Sequence, residues 1–315
     1  MNRLVSLTSA VSLTLVSFAS AFAQAQAGDE NKDDESSRQI VLDRFNKARP
    51  FSEAKGGIDK TAAKPLVKPP VYRRTGNIRL AGPRRGTTPP VTEEIGITVW
   101  RLRPARPGDS ASQVLVLDGL KQTPYTPERI EANTPLNLGD RVRLTVESPR
   151  PGFLYIIDRE QYADGSFGAP MLIFPTRRTR GGDNQVLPGK LIDIPAQEDQ
   201  YSYFTAQPAG DRRDQTAEVL TVILTPKPLP LAIGDQPLQL TPAQVAEWDK
   251  LWGGLAETLE LVGGAGQPWT NEEKMAGATN GRQLTQTGPP PQTVYRVARK
   301  AGGQLLVTVP LRYAR

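Results

Sequence analysis

The chain has no cysteine and no histidine in 315 residues. Without cysteine, its fold rests on core burial rather than on disulfides. Without histidine, it lacks the commonest general base and the commonest metal ligand. Every Ser-His-Asp or Cys-His arrangement is excluded, and so are zinc, iron and copper sites built on those two residue types. The chemistry left open is carboxylate catalysis, Ser-Lys or Tyr nucleophiles, and calcium or magnesium held by oxygen.

Long apolar runs are scarce as well. The one that stands out follows Arg3 and spans Leu4 to Ala21, and A-x-A patterns come next at 21–23, 23–25 and 25–27. This is the grammar of a secretory signal peptide, expected over residues 1–23, with an uncleaved N-terminal anchor as the alternative. No later segment approaches the ~20 apolar residues of a spanning helix. The expected location is beyond the inner membrane, periplasmic or secreted, with no transmembrane segment after cleavage.

Charge is unevenly placed. The net charge is +6, yet residues 53–90 alone hold nine Lys/Arg against Glu53 and Asp59. The rest of the sequence after that segment is close to neutral. Residues 24–92 are rich in Lys, Arg, Gly and Pro, and read as a disordered arm that cannot offset its own ordering entropy. Such an arm is a plain tether or a contact for an anionic surface through residues 53–90. Export argues against nucleic acid as its partner.

Ordered sequence starts near Glu93. Ile95, Ile97 and Val99 alternate, and Val142, Leu144 and Val146 alternate with Arg141, Arg143, Thr145 and Glu147. The run Glu218 to Thr225 is apolar on both parities, as in a central buried strand. Phe153–Ile157 and Met171–Phe174 are expected to pair. Thr241-Pro242 opens a helix over 241–254, and Thr270 with Glu273 forms a capping box. Thr293–Ala298 and Leu305–Leu311 are expected to close a C-terminal hairpin over 293–312. Many short strands between Gly/Pro turns predict a mainly β fold, an immunoglobulin-like antiparallel β-sandwich over 93–315 with one helix inserted late in the chain.

Within 136–226 the order of features becomes specific. Leu138-Gly-Asp140 leads a strand, followed by Pro151-Gly-Phe-Leu-Tyr-Ile-Ile157, Asp164-Gly165, Leu172-Ile-Phe-Pro175, Gly182-Asp-Asn184, Leu187-Pro-Gly189, Ile194-Pro195 and Glu218-Val-Leu-Thr-Val-Ile223. This resembles the bacterial domain-of-unknown-function 4384 family, as an exported, single-domain subtype. Phe153 stands where that family usually has tyrosine, and Ile173 occupies its "LFP" slot. The resemblance implies a β fold and an exported or envelope-associated setting. It brings no catalytic residues to carry over.

Three candidate sites emerge from the residues. Asp158, Glu160 and Asp164 lie close together in sequence beside Gly165 and are weak calcium candidates, although the spacing misses the D-x-D-x-D-G pattern and Asp-Gly is also a strong hairpin signal. In 176–184, Arg177, Arg178 and Arg180 with Asp183 and Asn184 form a candidate anion or polymer contact, against the alternative of a solvated loop. Tyr201 and Tyr203, two residues apart, are a candidate stacking platform for sugar, against the alternative of cross-strand packing. The expected function is a non-catalytic binding or scaffolding protein of the bacterial cell envelope. It would contact an envelope polymer or another envelope protein and need no cofactor. The alternatives are a carboxylate-based hydrolase acting on envelope polysaccharide and a calcium-dependent assembly module.

Overall fold

The computed structural model of the chain describes residues 44–51, 70–76, 80, 92–109, 112–118, 121–199, 201–208, 210, 212–298 and 303–314. The expected signal peptide and most of the expected arm lie outside these residues. In chain order the strands are β1 (Tyr72–Arg74), β2 (Thr92–Pro104), β3 (Val114–Asp118), β4 (Lys121–Ile130), β5 (Arg141–Glu147), β6 (Gly152–Tyr162), β7 (Met171–Phe174) and β8 (Gln185–Val186). They continue with β9 (Ile192–Ile194), β10 (Phe204–Thr205), β11 (Gln215–Thr225), β12 (Leu238–Gln239), β13 (Ala256–Leu261), β14 (Thr293–Ala298) and β15 (Leu305–Arg312). Helix α1 spans Pro242–Trp252 and α2 spans Asn271–Gly277. Residues 44–48 form a further helical turn. None of the described helices is long and apolar enough to cross a membrane.

The strands form two antiparallel sheets packed as a sandwich. The first runs β1-β13-β14-β2-β4-β3, with β5 on the other edge of β2 and carrying β9 and β10. The second runs β12-β7-β6-β11-β15, with β8 on β6. Strand parity decides what meets between them. Ile95, Ile97 and Val99 of β2 and Val142, Leu144 and Val146 of β5 face Leu154 and Ile156 of β6 and Leu220, Val222 and Leu224 of β11. β11 sits between β6 and β15, as its two apolar faces predict. Its other parity, with Ile223, packs with Tyr155, Ile157 and Leu306 beneath Val245, Trp248 and Trp252 of α1. The Thr241 hydroxyl caps α1 by accepting from the Gln244 N–H, and the Thr270–Glu273 capping box opens α2.

Two expectations are corrected. β14 and β15 do not form a hairpin. β14 pairs with β13 and β2 in the first sheet, and β15 pairs with β11 in the second. β11's two apolar faces are covered by the first sheet and by α1, and β15 fills its second hydrogen-bonding edge. The arm is also shorter than 24–92, because residues 44–51 and 70–76 belong to the fold. Tyr72 is buried with Phe45, Leu259 and Val294, its hydroxyl donates to the Pro291 carbonyl, and β1 extends the first sheet beside β13.

The outer face of the first sheet is polar, and it is covered. Arg143, Thr145 and Glu147 of β5 are buried, as are Arg129 of β4 and Asp193 of β9. Above them lie α2, Trp269, the 284–292 segment and Arg49. Arg49 grips Glu147 with two hydrogen bonds of 2.7 Å and donates to the carbonyls of Gly288 and Pro289. Arg129 pairs with Glu273 of α2 and donates to the Pro290 carbonyl. Arg143 pairs with Asp193, whose other oxygen accepts from the Thr145 hydroxyl. The close approach needs two glycines. A Cβ on Gly96 would stand 2.5 Å from Pro291, and one on Gly277 would stand 2.3 Å from Asp193 Oδ2.

Removing one partner of such a pair strands the other charge out of water. Arg49→Met is expected to lower unfolding free energy by about 3–5 kcal/mol, while Arg49→Met with Glu147→Leu recovers most of that loss. Denaturant unfolding of both variants checks the expectation. Equal losses in the two would mean that packing of the 44–51 segment, not the charge pair, carries the effect.

Candidate functional site

The inward parity of β6 runs Leu154, Ile156, Asp158, Glu160, and that of β11 runs Leu224, Val222, Leu220, Glu218. The register sets Asp158 opposite Leu220 and Glu160 opposite Glu218. At this end of the sandwich the core therefore turns from aliphatic to acidic. A cavity of about 140 Å³ lies here, walled by Leu136, Val142, Leu144, Leu220 and Leu311, with Asp158, Glu218 and Tyr313 on its polar side.

Two local irregularities shape it. The β6–β11 register shifts between Gln215 and Ala217, next to Glu218, and the β6–β7 register shifts so that Ile173 is left without a partner. Bulges of this kind re-aim side chains at sheet ends, and Ile173 lines the cavity wall.

The carboxyl groups of Asp158 and Glu218 are neighbours on the adjacent strands β6 and β11. Glu218 Oε1 accepts from the Gln215 amide at 2.8 Å and lies 3.1 Å from the Tyr313 hydroxyl. That hydroxyl is also 3.1 Å from the Gln207 carbonyl. Asp158 Oδ1 and Glu218 Oε2 are buried and face no other donor. Burial, then the charge of Glu218, pushes the Asp158 carboxyl up to about 8. Glu218 is also raised, first by burial. Two carboxyls in contact cannot both ionise easily, so the pair holds one proton between them near neutrality.

A second, open space of about 520 Å³ adjoins the first. Ile173 and Phe204 line both. Its walls include Arg178, Tyr201 and Asp235, all exposed, together with Thr176, Pro195 and Asp199. Tyr201 is 58 % exposed, so its ring is free to stack. Asp199 is held in place by the Ala196 N–H and the Thr179 hydroxyl, which both donate to it.

The candidates named from the sequence separate. Asp158 and Glu160 point along the inner face. Asp164 sits in the turn, where it accepts from the backbone and hydroxyl of Ser166 and pairs with Arg212. Among the described residues no three Asp or Glu side chains gather closely enough to hold a metal ion. Of the candidates in the 176–184 loop, only Arg178 lines the groove, beside Thr176 and Thr179. Arg177 is exposed outside it, and the Arg180 side chain is buried, 3.6 Å from Asp183. The Gly182 and Asp183 N–H groups donate to the Thr179 and Arg180 carbonyls and so are spent within the loop. The Asn184 amide donates to the Leu154 carbonyl, and Asp183 accepts from the Gln185 N–H.

Tyr201 and Tyr203 do not form one platform. Residues 201–203 are irregular, so the two-residue alternation of a strand does not apply there. Tyr203 instead stacks against Arg141, whose guanidinium lies 5.0 Å from its ring centroid and 4.8 Å from that of Tyr125.

Sequence reasoning missed Glu218 and Tyr313. The signal for Glu218 was available: it shares a parity with Leu220, Val222 and Leu224, so an acid stands in phase with an inward apolar face.

Comparison of the chain with protein-family models, curated proteins and solved structures finds no match.

The raised Asp158 pKa has a stability consequence with a definite sign. The unfolded chain releases this proton near pH 4 and the folded chain near 8. The folded state therefore binds the extra proton across that window, and stability falls as pH rises through it. Asp158→Asn is expected to flatten this decline and to melt higher than the unaltered chain at pH 9. Thermal melts from pH 4 to 9 check it, and parallel profiles for the two chains would refute the shared-proton pair.

Proposed function

We propose that the chain is an exported, non-catalytic binding module of the bacterial cell envelope, related to the domain-of-unknown-function 4384 family that its sequence resembles. The observation that carries this reading is the open groove beside β7 and β10. Tyr201 and Phe204 offer exposed rings there, next to the guanidinium of Arg178 and the carboxylate of Asp235. Rings that stack on apolar sugar faces, with a few charged groups to fix orientation, are the chemistry of a site for a glycan or glycopeptide polymer. Location beyond the inner membrane rests on the signal-peptide grammar of residues 1–23.

Polysaccharide hydrolysis is the weaker reading. A glycosidase sets two carboxyls about 5–9.5 Å apart, with the bond to be cut between them. Asp158 and Glu218 are neighbours on adjacent strands at one small cavity of about 140 Å³, not two separated carboxyls flanking a cleft.

The basic segment adds a second contact in this reading. The positive charge of residues 53–90 favours an anionic polymer or lipid surface. Since β1 begins at Tyr72, a deletion that spares the sandwich stops short of residue 70.

Co-sedimentation of the mature chain with purified envelope polysaccharide or peptidoglycan tests the proposal. Tyr201→Ala with Phe204→Ala is expected to weaken binding by at least about tenfold, the equivalent of 1.4 kcal/mol, with an unchanged melting temperature. Deleting 53–69 is expected to remove only the salt-sensitive part of the affinity. Binding that ignores the aromatic double variant would sink the groove as the site.

A further inference from the structure

We propose that the cavity at the acidic end of the sandwich is a site for a primary ammonium group carried on a slender apolar stem. The argument starts from how this protein treats its other buried carboxylates. Glu147, Glu273, Asp193 and Glu257 each face an arginine, namely Arg49, Arg129, Arg143 and Arg296. Glu260 has no arginine, but it accepts from the Ala132 N–H, the Gln292 amide and the Thr293 hydroxyl. The Asp158–Glu218 pair differs from all of these. Its charged neighbour is another acid, Glu160, and among the described residues no arginine or lysine side chain forms a salt bridge with the pair, although the Arg159 backbone N–H donates to Asp158. Two of its oxygens are buried without a donor beyond the shared proton.

That pair fronts an apolar space rather than solvent or a packed wall. The volume, about 140 Å³, compares with the roughly 150 Å³ apolar cavity that accepts benzene in another protein. A ligand body of about six heavy atoms therefore fits. Leu136, Val142, Leu144, Leu220 and Leu311 supply dispersion contacts to an apolar stem. Two neighbouring carboxyls with no cation beside them favour a ligand that brings positive charge. A calcium ion asks for six to eight oxygens, and among the described residues no third carboxylate joins the pair to hold one. An ammonium group supplies three donors, enough for Asp158 Oδ1, Glu218 Oε2 and one further acceptor beside them. The missing positive charge, the unused acceptor atoms and the aliphatic wall converge on one ligand class. This inference is independent of the groove reading, although Ile173 and Phe204 form a wall common to both spaces.

The ammonium can belong to a free alkylamine or to a lysine-type side chain in a peptide. Calorimetric titration of the mature chain at pH 7.5 separates the possibilities, with n-pentylammonium, its isostere 1-pentanol, and Nα-acetyl-lysine N-methylamide as probes. At least one of the two ammonium compounds is expected to bind about tenfold or more tightly than the alcohol. Binding of pentylammonium places the source among free amines. Binding of the lysine amide alone places it in a peptide. Asp158→Asn with Glu218→Gln is expected to abolish the preference for ammonium and to keep or raise the melting temperature, because it removes a buried like-charge pair. Equal affinity for pentanol and pentylammonium, no binding of either ammonium probe, or a preference that survives the double variant would each overturn the proposal. The comparison of ammonium with alcohol on the unaltered chain decides the matter even if the variant does not fold.

Discussion

Buried charge on the outer face of the first sheet is the constraint that organises this molecule. β5 presents Arg143, Thr145 and Glu147 on one parity, and β4 and β9 add Arg129 and Asp193 to the same face. Left bare, this would be an ordinary solvated sheet surface. Once covered, each group needs a partner, because an unpaired buried charge costs several kcal/mol. The cover is built to supply those partners. Arg49 answers Glu147, Glu273 answers Arg129, and the carbonyls of 288–290 take the remaining guanidinium donors. Trp100 and Trp269 meet edge to face at 6.1 Å between these pairs and exclude water from them. Gly96 and Gly277 let the covering segments come close enough.

The opposite end of the sandwich follows a different logic. There the acids lie on the inward parity, where the aliphatic core runs out, and among the described residues no arginine side chain forms a salt bridge with Asp158 or Glu218. Asp158 and Glu218 reduce their cost by sharing a proton and by accepting from Gln215 beside the Tyr313 hydroxyl. The two register shifts that open this end also turn Ile173 into a dividing wall between the cavity and the groove of Tyr201 and Arg178. One face of the protein thus spends its polar groups on holding a lid. The other end leaves polar groups facing space.

Much of the fold was legible in the sequence. The parity of β5, the two-faced apolar run of β11, the Thr241-Pro242 start of α1 and the capping box of α2 are local signals, and each is realised in place. Local signals failed where a partner decides the outcome. Tyr72-Arg-Arg74 is too short to show a period and sits among Gly and Pro, yet it becomes a strand because the edge of β13 and a pocket for its ring await it. β14 and β15 have hairpin spacing, but each finds a longer partner in a different sheet. Of the candidate sites, Arg178 and Tyr201 line one groove, whereas Arg180 and Asp183 serve their own loop and Asn184 ties that loop to β6. Asp158 acquires Glu218, some sixty residues on in the chain, as its neighbour.

What the sequence by itself determined is the set of available chemistries, the capped helix starts and the face on which each strand residue lies. Those follow from residue type and from a two-residue or 3.6-residue period, both of which are local. What only the tertiary structure decided is what stands opposite each face. Local parity separates Arg143, out of phase with the inward Val142 and Leu144, from Asp158, in phase with Leu154 and Ile156, but it does not say what meets either of them. One lies under a lid that carries its counter-charge, and the other lies beside a cavity with a second acid. That difference depends on contacts between segments far apart in the chain, and strand parity carries no information about them.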